Sequence, residues 1–227
     1  YEYMGKYISC YNRCKGIYET MNKLTSTHKI FLREYNSSAW NLCSYCLLRK
    51  QVSFDVLEAA LNEVVRKNDA LRMTVQNGDE VCFAEYTPRR FERVEFSDEG
   101  SFLVWAQERA NKPVTEFPGI WTAFLIKIDG RIGVFNIGHH IMCDALNVAN
   151  LYQKIANELD GRLDADESYA VYLNANEKYL QSRQYIKDHQ YWEPILAQQA
   201  PLAFDGRPIG ECENITIDTE SDRKSVV

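Results

Sequence analysis

No stretch of this chain approaches the ~20 uninterrupted apolar residues that a membrane-spanning helix needs, and the opening YEYMGKYISCYNRCKGIYE has no apolar block of the kind a secretory signal carries. A cytosolic protein with no membrane association is the expectation. Basic charge is also in short supply. With 26 basic residues against 32 acidic ones, a net charge of -6 and an isoelectric point near 5.3, the surface is ill suited to neutralising phosphates, which argues against nucleic acid as a partner. Internal repeats and low-complexity tracts are absent. What remains is 227 residues, 45% hydrophobic and 26% charged, enough for one large globular domain or two small ones.

Cysteine is plentiful but unpatterned. The seven residues Cys10, Cys14, Cys43, Cys46, Cys82, Cys143 and Cys212 are odd in number and irregular in spacing, so reduced thiols are expected. The pair Cys43 and Cys46 lies in NLCSYCLL, where strand geometry sends the two side chains to opposite faces, and no matching second pair exists to complete a zinc site.

Periodicity supplies the elements. Leu24 to Tyr35 reads as a short helix or turn after an uninterpretable appendage of residues 1–23, and Trp40 to Arg49 as a buried strand. In SFDVLEAALNEVVRKND the apolar residues recur at helical spacing behind Ser53 as a cap, and Asn68-Asp69 ends the run. A strand at Leu71 to Val75 joins EVCFAEY through the hairpin signal Asn77-Gly78; Phe91 to Phe96 alternates as a further strand, and SFLVWAQERANK is a helix stopped at Pro113. WTAFLIKI and IGVFNIG form a second hairpin around Asp129-Gly130-Arg131, apolar enough to be central. Asp144 then caps a helix with Leu146, Ala149, Leu151 and Ile155 on its apolar face, and two more helices follow in SYAVYLNANEKYLQS and RQYIKDHQYWEPILAQQ. Residues 201–227 read as a linker leading into another strand. Helices mixed with hairpins indicate an α+β fold with a mixed, mostly antiparallel sheet.

The residues with chemical promise are His139, His140 and Asp144, in HHIMCDA, where a buried strand gives way to a helix N-terminus. Such a junction offers free N–H groups and can present a side chain to a cavity without unpairing the sheet. A metal site would need His139, His140, Cys143 and Asp144 to converge from around one turn, which such spacing rarely permits. On spacing alone, two histidines hydrogen-bonded beneath a helix cap is the plainer reading.

HHxxxD followed by a small residue resembles the HHxxxDG motif of the condensation domains of nonribosomal peptide synthetases and of chloramphenicol acetyltransferase. Other segments agree in order. KNDALRMTV is similar to the family's RHExLRTxF segment, with Lys67 and Arg72 at its two arginine positions; SYAVYLNANEKYLQS and DHQYWEPIL resemble the segments closing the N-terminal lobe; and STHKIFL barely matches the early SxAQxRLW pattern. More than a third of the chain follows Ala145, unlike chloramphenicol acetyltransferase, where the motif lies near the end. The resemblance therefore implies residues 24–200 as the N-terminal lobe of a condensation domain, with 201–227 leading into the second lobe.

It further implies a chloramphenicol-acetyltransferase-like fold and amide formation between a carrier-bound acyl or peptidyl thioester and an aminoacyl acceptor. His140 would act as base or orienting group, while His139 packs. Asp144 would form an ion pair for which Arg72 is the candidate partner, so that removing one side costs ~3 to 5 kcal/mol. Ala145 replaces the motif's glycine, which matters only if the turn needs a positive φ. No metal and no tightly bound cofactor are implied: substrates ride on phosphopantetheine, and the partners are donor and acceptor carrier domains, an adenylation domain and the chain's own C-terminal lobe. An epimerization domain, an acyl-CoA-dependent acyltransferase and a noncatalytic docking module of the same fold stay open as alternatives.

Overall fold

A computed structural model describes residues 22–32, 35–76, 78–116, 119–162, 165 and 168–197. Most of the expected appendage, with Cys10 and Cys14, and the linker and strand expected at 201–227, with Cys212, lie outside the described residues, as does Asn77 of the first hairpin turn. The described residues fall into two units, one running up to Ser182 and one starting at Arg183.

In the first unit the strands are β1 (Asn22–Lys23), β2 (Asn41–Leu47), β3 (Met73–Val75), β4 (Glu80–Phe83), β5 (Glu92–Phe96), β6 (Trp121–Ile128) and β7 (Arg131–His139). The helices are α1 (Ser26–Leu32), α2 (Phe54–Lys67), α3 (Glu99–Ala110), α4 (Ala145–Leu159) and α5 (Tyr169–Leu180). Four strands make a mixed sheet in the order β2-β7-β6-β5, antiparallel except for the parallel pair β5 and β6. Three more, in the order β1-β4-β3, make a small antiparallel sheet. Asn22 and Lys23, which sequence assigns to the appendage, thus belong to the second sheet.

Side-chain alternation divides the core of the larger sheet into two. Ala123, Leu125 and Val134 join Leu57, Leu61, Val64, Val65, Leu151 and Ile155 of α2 and α4 on one side; Phe124, Ile126, Phe135 and Ile137 meet Phe102 and Ala106 of α3 on the other. β6 and β7 are the central strands, as their apolar composition predicts. Their turn is two residues long, with positive φ at Asp129 (47°) and Gly130 (78°), the geometry a tight hairpin demands. β2 differs from expectation: it is an edge strand, half covered, with Cys43 exposed.

The caps follow the sequence. Ser53 accepts from the Val56 N–H at the start of α2, and Asn68 closes it. α3 begins earlier than its apolar run suggests, capped by Asp98 through Ser101. α2 and α4 are joined by an ion pair between Lys67 and Glu158, whose side chains are only 9% and 14% exposed. The buried Asn136 of β7 donates to Ser44 Oγ (2.8 Å) of β2 and to the Tyr152 hydroxyl (2.6 Å), clamping α4 to the sheet. The second unit contributes α6 (Arg183–Ala197), a helix that contains Pro194 and leaves Ile186, Tyr191, Trp192 and Leu196 exposed.

Removing one member of a buried ion pair strands the other charge. Glu158→Gln is therefore expected to lower unfolding stability by about 3 kcal/mol in urea titration, and the double change Lys67→Met with Glu158→Leu to recover most of it. A loss under about 1 kcal/mol for the single change contradicts the assignment.

Candidate active site

β7 is held on both flanks to its last residue. His139 pairs with Asn41 of β2, its N–H donates to the Ile120 carbonyl (2.9 Å), and the His140 N–H donates to the Trp40 carbonyl (2.9 Å). With both backbones fixed, His139 continues the row of Phe135 and Ile137, and His140 the row of Val134 and Asn136. The chain then folds back at once. The N–H groups of Met142 and Cys143 donate to the His139 carbonyl (2.9 and 3.3 Å), and the fold-back brings Cys143 so near Gly138 that a Cβ there would meet Sγ at 2.8 Å. A side chain at 138 would therefore require Cys143 to shift.

Asp144 ends the turn as the N-cap of α4. Its carboxylate accepts from the Asn147 N–H (2.8 Å), and Asn147 Oδ1 accepts in return from the Asp144 N–H (3.1 Å), a reciprocal capping box. Ala145 is the first helical residue, and Asp129 is the only non-glycine residue with positive φ among those described, so alanine replaces the motif's glycine without backbone strain. Leu146 is 68% exposed, contrary to the apolar face expected of it; α4 buries Leu151 and Ile155 instead.

The two histidines have opposite surroundings. His139 is fully buried: Nδ1 accepts from the Ile141 N–H (3.2 Å), which assigns the neutral ring's proton to Nε2, a buried atom with no partner among the described residues. Burial, and next the charge of His140, lower its pKa from 6.5 to about 4. His140 is partly exposed, with its ring stacked on Phe31 (centroids 4.5 Å apart, planes 8° from parallel) and edge-on to Trp40 (6.1 Å). No described residue hydrogen-bonds to that ring.

Phe31 comes from α1, the segment STHKIFL that sequence scarcely interprets. One turn earlier α1 carries His28, whose Nδ1 bonds the Thr25 hydroxyl (2.7 Å) and whose Nε2 bonds the Tyr169 hydroxyl (2.9 Å). Burial, then the charge of His140, hold the His28 pKa below 6.5. Tyr169 begins α5, whose first turn is fixed by Asp69: its carboxylate accepts from the Tyr169 N–H (2.6 Å) and the Ser168 hydroxyl (2.8 Å). Sequence reasoning missed Phe31, Trp40, His28 and Tyr169 as site residues.

A cavity of about 220 Å³ lies behind the turn, lined by Leu71, Trp121, Met142, Cys143, Val148 and Tyr169 among others. It adjoins His140 through Met142 and Cys143 and does not include the His140 ring. Burial, followed by the nearby Asp144 and Cys43, pushes the Cys143 thiol up to about 12, so it supplies no thiolate at neutral pH. Among the described residues no group of three or more His, Cys, Asp or Glu could hold a metal ion.

The expected ion pair between Asp144 and Arg72 is not formed. Arg72 spends its guanidinium on three backbone carbonyls, Val65 (3.1 Å), Ala84 (2.6 Å) and Arg66 (3.3 Å), while the Asp144 carboxylate is taken up by the α4 cap. The arginine closes the end of α2 against β4; the aspartate acts on its own helix.

Comparison with known proteins decides the family. A condensation domain family model matches residues 28–223. The chain belongs to the condensation domain family. It is 27% identical over 188 residues to a plipastatin synthase polypeptide of Bacillus subtilis (strain 168), covering 76% of this chain and 7% of that one. It is 26% identical over 186 residues to a linear gramicidin synthase polypeptide of Brevibacillus parabrevis, covering 74% of this chain and 4% of that one. The starter condensation domain of the rhizomide synthetase RzmA shares the fold at TM-score 0.68 and 20% identity, over 80% of this chain and 51% of that one. The first condensation domain of the CDA synthetase does so at 0.64 and 19%, over 81% and 52%. The chain thus spans under a tenth of these curated synthetases and about half of these solved condensation domains. Its α+β architecture is the chloramphenicol-acetyltransferase-like fold of that family, and no described helix is long and apolar enough to cross a membrane.

Two measurements follow from this geometry. Because the folded state disfavours a charged His139, its contribution to stability is complete above pH 6.5 and is lost as pH falls toward about 4. The loss amounts to as much as ~3 kcal/mol, and His139→Leu should flatten that share of the pH dependence in denaturant titrations between pH 7.5 and 4.5. An equal slope in parent and variant contradicts the buried neutral ring. Secondly, Asp144→Ala should cost about 1 kcal/mol, the worth of a helix cap, and Arg72→Ala at least about 2 kcal/mol from the orphaned carbonyls. Should Asp144→Ala prove the more damaging of the two, the ion-pair reading is restored.

Proposed function

We propose that the chain is the N-terminal lobe of a peptide synthetase condensation domain, working with a C-terminal lobe that supplies the other wall of the site. The reaction is transfer of an acyl or peptidyl group from one phosphopantetheine thioester to the amine of an aminoacyl group carried on another. The acceptor's α-amino group, with a pKa near ~8, is partly protonated at neutral pH, and it must shed a proton as nitrogen attacks the donor carbonyl. An imidazole is suited to take that proton and return it to the departing thiolate.

The observation that carries this reading is the partial exposure of the His140 ring at the end of a strand whose backbone is bonded on both sides. Stacking on Phe31 and the edge of Trp40 fix its plane while leaving its nitrogens unbonded by any described residue. His139 supports it from the buried side, and Asp144 with Ala145 starts the helix that ends the turn. Positioned proton transfer supplies ~10² to 10⁴-fold, so holding the two thioesters face to face provides much of the remaining acceleration. The partners are donor and acceptor carrier domains and an adjacent adenylation domain, in the cytoplasm. The substrates arrive on the carriers' phosphopantetheine, and no metal takes part. Ala145 lies in a helical position that alanine tolerates, which removes the main sequence argument for a noncatalytic descendant.

His140→Ala in the full-length protein, with both carrier-loaded substrates present, is expected to reduce amide formation at least about 100-fold while the circular dichroism spectrum and unfolding midpoint stay within error of the parent. Undiminished turnover refutes the assignment.

A further inference from the structure

The phenol of Tyr169 belongs to two places at once. Its ring lines the cavity beside Met142 and Cys143, and its hydroxyl bonds His28 Nε2 at 2.9 Å. Behind His28 stands the buried Thr25 hydroxyl, 2.7 Å from Nδ1. A threonine hydroxyl rotates to suit its neighbour. When it donates to Nδ1, His28 carries its own proton on Nε2 and gives that hydrogen bond to the Tyr169 oxygen, leaving the phenolic O–H free for a third partner. Hydrogen bonds in such a chain polarise one another, so the terminal O–H becomes a stronger donor than a lone phenol. Burial, followed by the neighbouring Tyr172, Asp144 and Cys143, raises the Tyr169 pKa, so the hydroxyl keeps its proton.

The surroundings hold this phenol in place independently of the chain. Its backbone N–H is bonded to Asp69 (2.6 Å), and its ring packs against Tyr172 (centroids 5.4 Å apart) and Phe83 (6.5 Å). His28 shares α1 with Phe31, which stacks on His140. One short helix therefore connects the imidazole of His140 with the hydrogen-bond partner of the Tyr169 hydroxyl.

The geometry points to Tyr169 as a hydrogen-bond donor to the thioester carbonyl oxygen of a carrier-bound substrate, with His28 as its positioning residue and Thr25 as the anchor of the chain. This rests on the acyl-transfer reading above. As the amine nitrogen bonds to the carbonyl carbon, the π electron pair moves to oxygen, and a neutral donor there stabilises the developing charge. When the intermediate collapses the pair returns, the C–S bond breaks, and the thiolate takes the proton that the nitrogen gave to His140. Tyr169 keeps its own proton throughout. Loss of one such donor typically slows acyl transfer ~10² to 10³-fold.

The test uses the full-length protein and two readouts. In single-turnover amide formation, Tyr169→Phe should slow the chemical step about 100-fold with little change in carrier affinity. His28→Leu should do nearly as much, the double variant no more than Tyr169→Phe alone, and His28→Gln, which keeps an N–H donor, should restore part of the rate. In a His140→Ala background, an N-acetylcysteamine thioester labelled with ¹³C at the carbonyl should show a downfield bound resonance that Tyr169→Phe and His28→Leu both move back. A Tyr169→Phe rate within twofold of the parent overturns the inference, as does a carbonyl shift identical in every variant or the absence of a bound signal. A hydroxyl-dependent shift in the His140→Ala background, with the parent protein itself forming no amide, supports the donor chain and refutes the condensation reading, so the two failures are distinct.

Discussion

Side-chain alternation on a strand bonded at both edges is the constraint from which the site follows. β7 pairs with β2 from Leu47↔Gly133 to Asn41↔His139 and with β6 from Ile128↔Arg131 to Trp121↔Gly138. A slip of one residue in either register would exchange the faces of His139 and His140 and also drive Phe135 and Ile137 out of the core beneath α3. The burial of those apolar side chains therefore sets which face of the sheet each histidine takes. Fully burying a side chain of that size stabilises the fold by ~1.5 to 3 kcal/mol, and several such residues vote for the same register.

The turn after β7 and the start of α4 depend on that same register. Cys143 packs closely over position 138, where glycine leaves room for its sulfur, as its N–H reaches back to the His139 carbonyl, and the fold-back leads directly into the Asp144 cap of α4. α4 is then secured by interactions distant from the motif: Tyr152 to Asn136 and Ser44 near its middle, and Glu158 to Lys67 in its last turn. The motif aspartate thus acts through conformation. Its carboxylate organises the first turn of its own helix and is not spent on a cation. Arg72 has an equally local task at the other end of α2.

The elements that sequence reads well are those whose cause lies within a few residues. Ser53, Asp144 and Asn68 cap or close the helices they border, Asp129-Gly130 makes the turn it resembles, and the nearly unbroken apolar runs of β6 and β7 become the central strands. The HHxxxD pattern locates the strand-to-helix junction because the backbone makes that junction locally. The misreadings share a different origin. Leu146 matches helical periodicity yet lies on the exposed flank of the capping turn, and β2 is apolar along its length yet falls at the sheet's edge, facts that only tertiary arrangement determines.

Separation along the chain explains why half of the candidate site was not legible. Tyr169 and His28 are 141 residues apart, Asp69 and Tyr169 are 100 apart, and the stacking of Phe31 on His140 spans a similar stretch of chain. No periodicity carries such pairings. α1 in addition has too few residues and no buried side chain of its own to announce an amphipathic face. Its placement comes instead from Thr25 and Leu24, buried beside β4, and from Lys29, paired with Asp79. Phe31 and Leu32 add partly buried apolar contact with the core, and Phe31 and His28 also join the helix to His140 and Tyr169. Moving α1 away would take the stacking partner from His140 and the hydrogen bond from Tyr169 together, so orientation of the imidazole and of the phenol are properties of one joint.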